Sequence, residues 1–298
     1  MVSVVMPAHN EAAVVQRTLA ALTQGALPGE LEVIVVCNGC TDETAAMARA
    51  CSASTGGRQN GADLRILETP IAGKIKALNL GDQAAQGFPR VYIDADVLLP
   101  LEVLRKLVRV LEDGRILAAA PQPSFDVTGS PWTVRAYYAI NGRLPSSREG
   151  IGGSGVYALS RQGRSRFGAF PELTADDGFV RIQFKPDERA TLADCCSTVF
   201  APQRLSDLIA IKTRSHFGSY ELRQKFPELW ANKGQSNGGH LLRLWRNPLL
   251  WPQLTVYCYV KLIARLRARR RLRKGLSKIW ERDESSRRVA LPPAMEKS

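Results

Sequence analysis

Asp94 and Asp96, one residue apart, are the side chains of this sequence that point most directly to chemistry. Two carboxylates closing a short apolar run can lean towards one hard cation. A magnesium or manganese ion held by one or two carboxylates keeps positions open for phosphate oxygens. An acidic turn ahead of Pro100 would read the same way, so the company these residues keep matters. Pro7, His9, Asn10 and Glu11 follow one apolar run, and Asn38 to Asp42 follow another. Asn10 and Glu11 also suit the N-cap and first turn of a helix, and both roles are expected together. Lys74 and Lys76 flank a helix start after Gly73, as a solvated helix end or as cations reaching a diphosphate. Asp176-Asp177 is a solvated turn or a source of one general base, because a like charge raises the pKa of its neighbour. Lys212, Arg214 and His216 alternate, so an extended chain would put them on one face. That face would be a cradle for a leaving diphosphate or a basic strand edge. Cys37 and Cys40 have redox spacing, and with Cys195 and Cys196 they raise the question of zinc. Cys37 ends an apolar run and no second Cys-x-x-Cys follows, so packing is the expected role.

These groups need a scaffold that gathers them. Val2–Met6, Val33–Cys37 and Val91–Ile93 are apolar and rich in β-branched residues, the pattern of strands buried on both faces, with Leu64–Leu67 a weaker example. Between them, Glu11–Thr23, Asp42–Cys51, Lys74–Ala85 and Leu101–Leu111 read as helices. The Asp42–Cys51 helix would carry two acids in its first turn. Alternating strands and helices predict an α/β domain with a mainly parallel sheet flanked by helices. Ligands of such sheets bind at the carboxyl ends of the strands, where the polar residues above collect. Further on, Ala118–Pro121 and Thr191–Phe200 suit strands, Val134–Ile140 suits a helix or a strand, and Gly150, Gly152, Gly153 and Gly155 bunch before apolar Val156–Leu159.

A length of 298 residues with 45% hydrophobic and 23% charged residues excludes a disordered or fibrous chain. Six cysteines in such a length exclude a disulfide scaffold. The start at Val2 shows neither a basic leader region nor a cleavage site, so a cytoplasmic location is expected. Net charge is +13, but from Lys261 to Ser298 there are 13 basic against 4 acidic residues, which places +9 of it there. Leu249–Ala264 is apolar and aromatic yet shorter than the roughly 20 residues that span a bilayer. With the Arg-rich stretch to Lys274, residues 249–274 read either as a peripheral contact with an anionic membrane surface or as a last helix on the domain. Polyarginine also attracts nucleic acid, but acids gathered at strand ends would repel it, so no specific nucleic-acid partner is expected.

In order along the chain, Pro-x-His-Asn-Glu, Asn-Gly-Cys-Thr-Asp, Gly-Lys-x-x-Ala-Leu-Asn at 73–79, Asp-x-Asp at 94–96, a Gly-rich turn at 150–155 and Asp-Asp at 176–177 resemble family 2 glycosyltransferases of the GT-A fold. The resemblance covers about residues 1–220 and implies a metal-dependent, inverting transferase taking a nucleotide-sugar donor and an acceptor hydroxyl. It implies a nucleotide half, about 1–115, an acceptor half, about 116–220, and a helical, basic extension over 221–298. By this resemblance Pro7, His9, Glu11, Asn38, Lys74 and Asp94 bind the donor nucleotide. Asp96, with Asp94 and His216, holds Mn2+ or Mg2+. Gly153, Ser154, Lys212 and Arg214 meet the diphosphate or the acceptor, and Asp177 or its neighbour Asp176 is the base. The family's Gln-x-x-Arg-Trp signature is missing, which argues against a processive polysaccharide synthase. A nucleotidyltransferase on a similar sheet is the rival reading, although Pro7–Glu11 lacks its Gly-rich phosphate loop. An anionic-lipid or nucleic-acid binder acting through the tail is the third.

Overall fold

A computed structural model of the chain describes residues 1–53, 58–59, 61–234 and 238–274. The first half runs β1 (Val2–Ala8), α1 (Val15–Thr23), β2 (Leu31–Asn38), α2 (Thr44–Ala53), β3 (Arg58–Gln59), β4 (Ala62–Thr69), α3 (Lys74–Ala84), β5 (Arg90–Ile93), β6 (Val97–Leu98) and α4 (Leu101–Glu112). It continues with β7 (Ala118–Asp126), α5 (Trp132–Asn141), α6 (Pro145–Arg148), β8 (Val156–Leu159), α7 (Arg161–Arg164) and α8 (Asp176–Ile182). It ends with β9 (Arg189–Phe200), α9 (Leu205–Lys225), α10 (Gly238–Trp245) and α11 (Trp251–Arg273).

The strands form one mixed sheet in the order β3-β4-β2-β1-β5-β8-β7-β9-β6. Its longest ladders are parallel: β1 with β2, β2 with β4, and β7 with β9. Because β4, β2, β1 and β5 all run the same way, their carboxyl ends lie on one edge. β8 returns antiparallel between β5 and β7, which brings the Gly-rich turn before it to that same edge.

Side-chain alternation explains the layers. Val4, Met6, Val33 and Val35 face Leu19 and Leu22 of α1 and Leu104 and Leu107 of α4. Val5, Ile34 and Val36 face Ile75 and Leu78 of α3 on the other side. Both faces of the central strands are therefore dry, as their unbroken apolar runs require. In α4 the buried residues Leu101, Leu104, Leu107 and Leu111 recur at helical spacing. A third apolar cluster joins α5 (Val134, Tyr137, Ile140) to α9 (Leu208, Ile209) and α11 (Leu254, Tyr257, Val260). The expected boundary at residue 220 thus falls within α9, and α11 completes a core shared with the preceding part instead of trailing from it. No helix of the described residues is long and apolar enough to cross a membrane.

Three local expectations change. Asn10 does not cap α1, which begins only at Val15 with no side-chain cap. Asn10 instead adopts a left-handed φ of 54° and turns its amide across to Thr41. The two acids expected in the first turn of α2 precede it, because Asp42 Oδ1 accepts from the Thr44 amide at 3.0 Å and the helix starts there. Finally, Lys212–His216 is helical, not extended. Lys212 and His216 lie one turn apart, and Arg214 is rotated about 200° from Lys212.

Candidate active site

Lys74 is the first residue of α3, placed there by Gly73 at the helix start. From that point its ammonium reaches Asp94 Oδ1 at 2.7 Å, past the end of β5, and Asp176 Oδ1 at 3.0 Å, at the start of α8. The second Asp176 oxygen accepts from the Tyr157 hydroxyl of β8 at 3.2 Å. Asp177 follows on α8, partly exposed, with Oδ1 accepting from the Gly178 amide at 2.6 Å. Pro7, Tyr92, Gly152 and Gly155 close the rest of this narrow cleft. Residues more than one hundred positions apart thus share one polar junction.

Charge sets the protonation of each group. Burial works to lower the Lys74 pKa, but the carboxylates of Asp176, Asp94 and Asp177 outweigh it and hold the ammonium well above its ordinary value. Asp177 is pushed up to about 6, first by burial and then by the neighbouring Asp176 carboxylate, against the pull of Lys74. The Tyr157 phenol is raised well above its usual value by burial and by Asp176, so it remains a donor.

Gly155 fits the turn to this junction. Its carbonyl accepts from the Asp94 amide at 2.9 Å, and its φ is +66°. A Cβ there would stand 2.5 Å from Val97 Cγ2 and 3.4 Å from Asp94 Oδ2. Gly155→Ala is expected to destabilise the fold by about 2–4 kcal/mol, from left-handed strain plus overpacking, read as a lower urea midpoint. Unchanged stability would show that the turn relaxes freely. Ser154, expected at the donor sugar or acceptor, is fully buried. Its hydroxyl lies within hydrogen-bonding distance of the Gly150 and Val156 carbonyls, at 2.8 and 2.7 Å, so it shapes the turn from inside. Gly153 is exposed on the same turn.

The expected nucleotide wall is laced together by its own side chains. His9 Nδ1 donates to the Asn38 carbonyl at 2.6 Å, which leaves Nε2 as the acceptor of that ring. Asn38 is buried: its amide nitrogen donates to Ala8 O at 2.8 Å and its oxygen accepts from Gly73 N at 2.9 Å. Asn38 is thereby occupied in tying β1 and β2 to the start of α3, not open to pair with a base. Glu11 is buried, and its amide donates to Thr44 Oγ1 at 2.6 Å. Pro7 lines the cleft itself.

Of the expected metal ligands, Asp94 lines the cleft, Asp96 lies two residues further along between β5 and β6, and His216 lies on α9. Burial and the charges of Lys261, Arg265, Lys212 and Lys233 lower its pKa to about 3. A ring surrounded by cations is poorly placed to hold another, and no set of three or more His, Cys, Asp or Glu side chains among the described residues could hold a metal. Lys212 lies over the Tyr137 and Tyr138 rings at 5.5 and 5.8 Å. The six cysteines are free, and burial raises the Cys37 thiol to about 12, in keeping with a packing role.

Two features went unread in the sequence. Tyr157 was visible only as one residue of an apolar strand, although a phenol among aliphatic neighbours on a buried strand must find a partner. Beneath the cleft, Asp82 accepts from Tyr92 at 2.5 Å and pairs with Arg90 and Arg164 at 2.7 and 2.6 Å. That network ties α3 to β5 and α7.

With this geometry in view, the description "Glycosyl transferase family 2" matches residues 3–163, more than half of the chain. The chain belongs to glycosyl transferase family 2. The family 2 match ends before Asp176 and Asp177, which the fold brings back to it. Glycosyltransferase AglD of Haloferax volcanii is 34% identical over 136 residues, covering 44% of this chain and 20% of its own length. The chain therefore spans about a fifth of that curated relative. Among solved structures, mannosyltransferase PcManGT from Pyrobaculum calidifontis, in complex with GDP-Man and Mn2+, aligns with a TM-score of 0.58 at 22% identity, over 94% of this chain and 76% of that one. Glucosyl-3-phosphoglycerate synthase from Mycobacterium tuberculosis, with Mn2+, UDP-glucose and glycerol 3-phosphate, aligns at 0.52 and 23% identity, over 75% of this chain and 79% of that one. At such identities the likeness concerns fold, and that fold is the expected GT-A arrangement of a mixed sheet flanked by helices.

Proposed function

We propose that this family 2 protein transfers a sugar from a nucleoside-diphosphate donor to an acceptor hydroxyl, with inversion at the anomeric carbon. The observation that carries this reading is the Lys74 junction, which joins the Asp94 and Asp176-Asp177 motifs at one cleft. An acceptor hydroxyl is a weak nucleophile near neutral pH, so a base must take its proton as it attacks. Asp177 is that base. Asp176 is committed to Lys74 and Tyr157, whereas Asp177 is partly exposed and, at about 6, more basic than an ordinary carboxylate yet ionised at pH 7. As the acceptor oxygen bonds to the anomeric carbon, the bond from that carbon to the diphosphate breaks on the opposite face. The nucleoside diphosphate leaves carrying the electron pair, and Asp177 keeps the proton. Lys74 keeps Asp176 and Asp94 in place throughout.

The cleft fits a divalent cation. One ammonium faces the three carboxylates of Asp94, Asp176 and Asp177, which would repel an anionic donor. Asp96 and Asp94 would be the residues to hold the cation, each offering a hard carboxylate oxygen. Mn2+ or Mg2+ held there would neutralise charge on the diphosphate. Residues 249–274 give a peripheral contact with an anionic membrane surface at the cytoplasmic face. Tyr259, Leu262 and Leu266 are exposed on one stripe of α11, ahead of its Arg-rich end. The acceptor half reaches through α9, and the basic extension begins there.

A thermal-shift panel of nucleoside diphosphates and nucleotide sugars, with and without Mn2+, tests this reading. Stabilisation by a nucleoside diphosphate only when Mn2+ is present is the expected result, and Asp96→Ala should remove the metal-dependent part. A wild-type protein stabilised by no nucleotide under either condition would sink the proposal.

A further inference from the structure

Five basic side chains meet where α9 faces α11. Lys212 and His216 come from one turn of α9, Lys261 and Arg265 from one turn of α11, and Lys233 from the segment after α9. Among the described residues none of them is paired with an acid. Their contacts are aromatic instead: Lys212 over Tyr137 at 5.5 Å, Lys261 over Tyr257 at 5.9 Å, Lys233 over Trp230 at 4.2 Å, and His216 stacked on Tyr220 at 6.4 Å. His216 Nε2 is buried without a hydrogen-bond partner. Burial first, and the neighbouring cations second, hold Lys212 and Lys261 down to about 8. Cations gathered in a partly dry space raise the energy of the fold unless an anion joins them.

Between the array and the cleft stands Arg181, which is paired with Glu149. The charge of Arg181 reaches Lys233, and the Arg181 guanidinium lies 3.7 Å from where a Cβ on Gly152 would stand, at the cleft wall. Away from the cleft, an open groove of about 490 Å3 between α9 and α11 is lined by Tyr220, Arg223, Gln224, Arg269 and Leu272, with no acid. Lysine point charges converging from three segments suit a compact, multiply charged phosphoryl group better than a planar carboxylate.

We infer that the Lys212–His216–Lys233–Lys261–Arg265 array binds a phosphoryl group carried by the acceptor, separately from the donor diphosphate. This rests on the sugar-transfer reading, and it adds that the acceptor is phosphorylated. The phosphate belongs either to a lipid headgroup or to a soluble metabolite.

The test compares wild type with a Lys212→Met, Lys261→Met double variant by thermal shift, in inorganic phosphate against chloride at equal ionic strength. Phosphate should stabilise the wild type, and its affinity should fall at least about tenfold in the double variant with the loss of two charged donors. The double variant in chloride should melt no lower than wild type, because repulsion has been relieved. If it does not fold, Arg265→Gln at the exposed rim should weaken phosphate binding alone. Stabilisation by a nucleoside diphosphate with Mn2+ should persist in every variant; its absence from wild type would count against the donor reading and not against this site. Sedimentation with phosphatidylcholine vesicles, with and without phosphatidic acid, distinguishes the sources. Binding that needs phosphatidic acid and is lost in the variant indicates a lipid, and a phosphate response without vesicle binding indicates a soluble acceptor; either supports the array. No phosphate response in wild type, or an equal one in the variants, overturns it.

Discussion

Lys74→Met should destabilise the protein by about 3 kcal/mol or more at pH 7.5 and abolish sugar transfer, the range found when a buried pair loses one partner. The side chain contacts Asp94 and Asp176 and offsets Asp177, so its removal leaves three carboxylates facing one another. Asp176 is buried and cannot turn to solvent for compensation. The sign with pH follows. Lys74 has a raised folded pKa, so its contribution is complete at every pH below the ordinary lysine value and is present throughout pH 4–8. In the variant the carboxylate pKa values rise, and protonation relieves the repulsion as pH falls. Urea unfolding of both proteins at pH 7.5 and pH 5 should therefore show a gap that narrows on acidification. Equal stabilities at pH 7.5 would remove Lys74 from the centre of the junction.

Asp177→Asn should leave the fold and the binding of nucleoside diphosphate unchanged while lowering turnover about 10³-fold, within the usual range for loss of a general base. The wild-type kcat/KM should fall on the acid side with an apparent pKa of about 6, reporting the Asp176-Asp177 pair as one unit. The same shift has a stability consequence. A carboxyl whose folded pKa lies above its unfolded value stabilises the native state at low pH and loses that contribution as pH rises through about 6. Asp177→Asn should accordingly be no less stable than wild type at pH 7.5. Asp176→Asn, by contrast, breaks the contact with Lys74 and should lower stability as well as turnover. Near-normal turnover in Asp177→Asn would transfer the base to another residue.

The strand ends and their polar residues were legible in the sequence because each buried parallel strand is a continuous apolar run, and the first polar residue after it marks the sheet edge. Asp94 after β5, the Lys74 helix start and the acid pair at the start of α8 were found on that logic. Partnership was not legible. Asn38 looks as ready to meet a ligand as to hold Ala8 and Gly73, and only three-dimensional proximity shows that its amide is already engaged. Lys212, Arg214 and His216 failed for a different reason. Alternating polarity reads as a strand, but Leu208, Ile209 and Phe217 are buried at helical spacing on the same stretch, and packing against α11 settles the conformation. Ser154 was misplaced because a Gly-rich turn suggests open backbone, whereas its one hydroxyl folds inward.

The insertion of β8 between β5 and β7 has a consequence for synthesis. A chain emerging from the ribosome can pair β1, β2, β4 and β5 early, because all of these strands lie before residue 94. Of its two ion-pair partners Lys74 then has only Asp94, since Asp176 is not yet made. The nascent amino-terminal half would hold Lys74 paired one-to-one with Asp94 at its sheet edge until β8 docks and α8 delivers its acids. Vectorial folding thus leaves the cleft to last, and a ribosome-bound chain arrested before residue 176 would have the central strands but neither Asp176 nor Asp177.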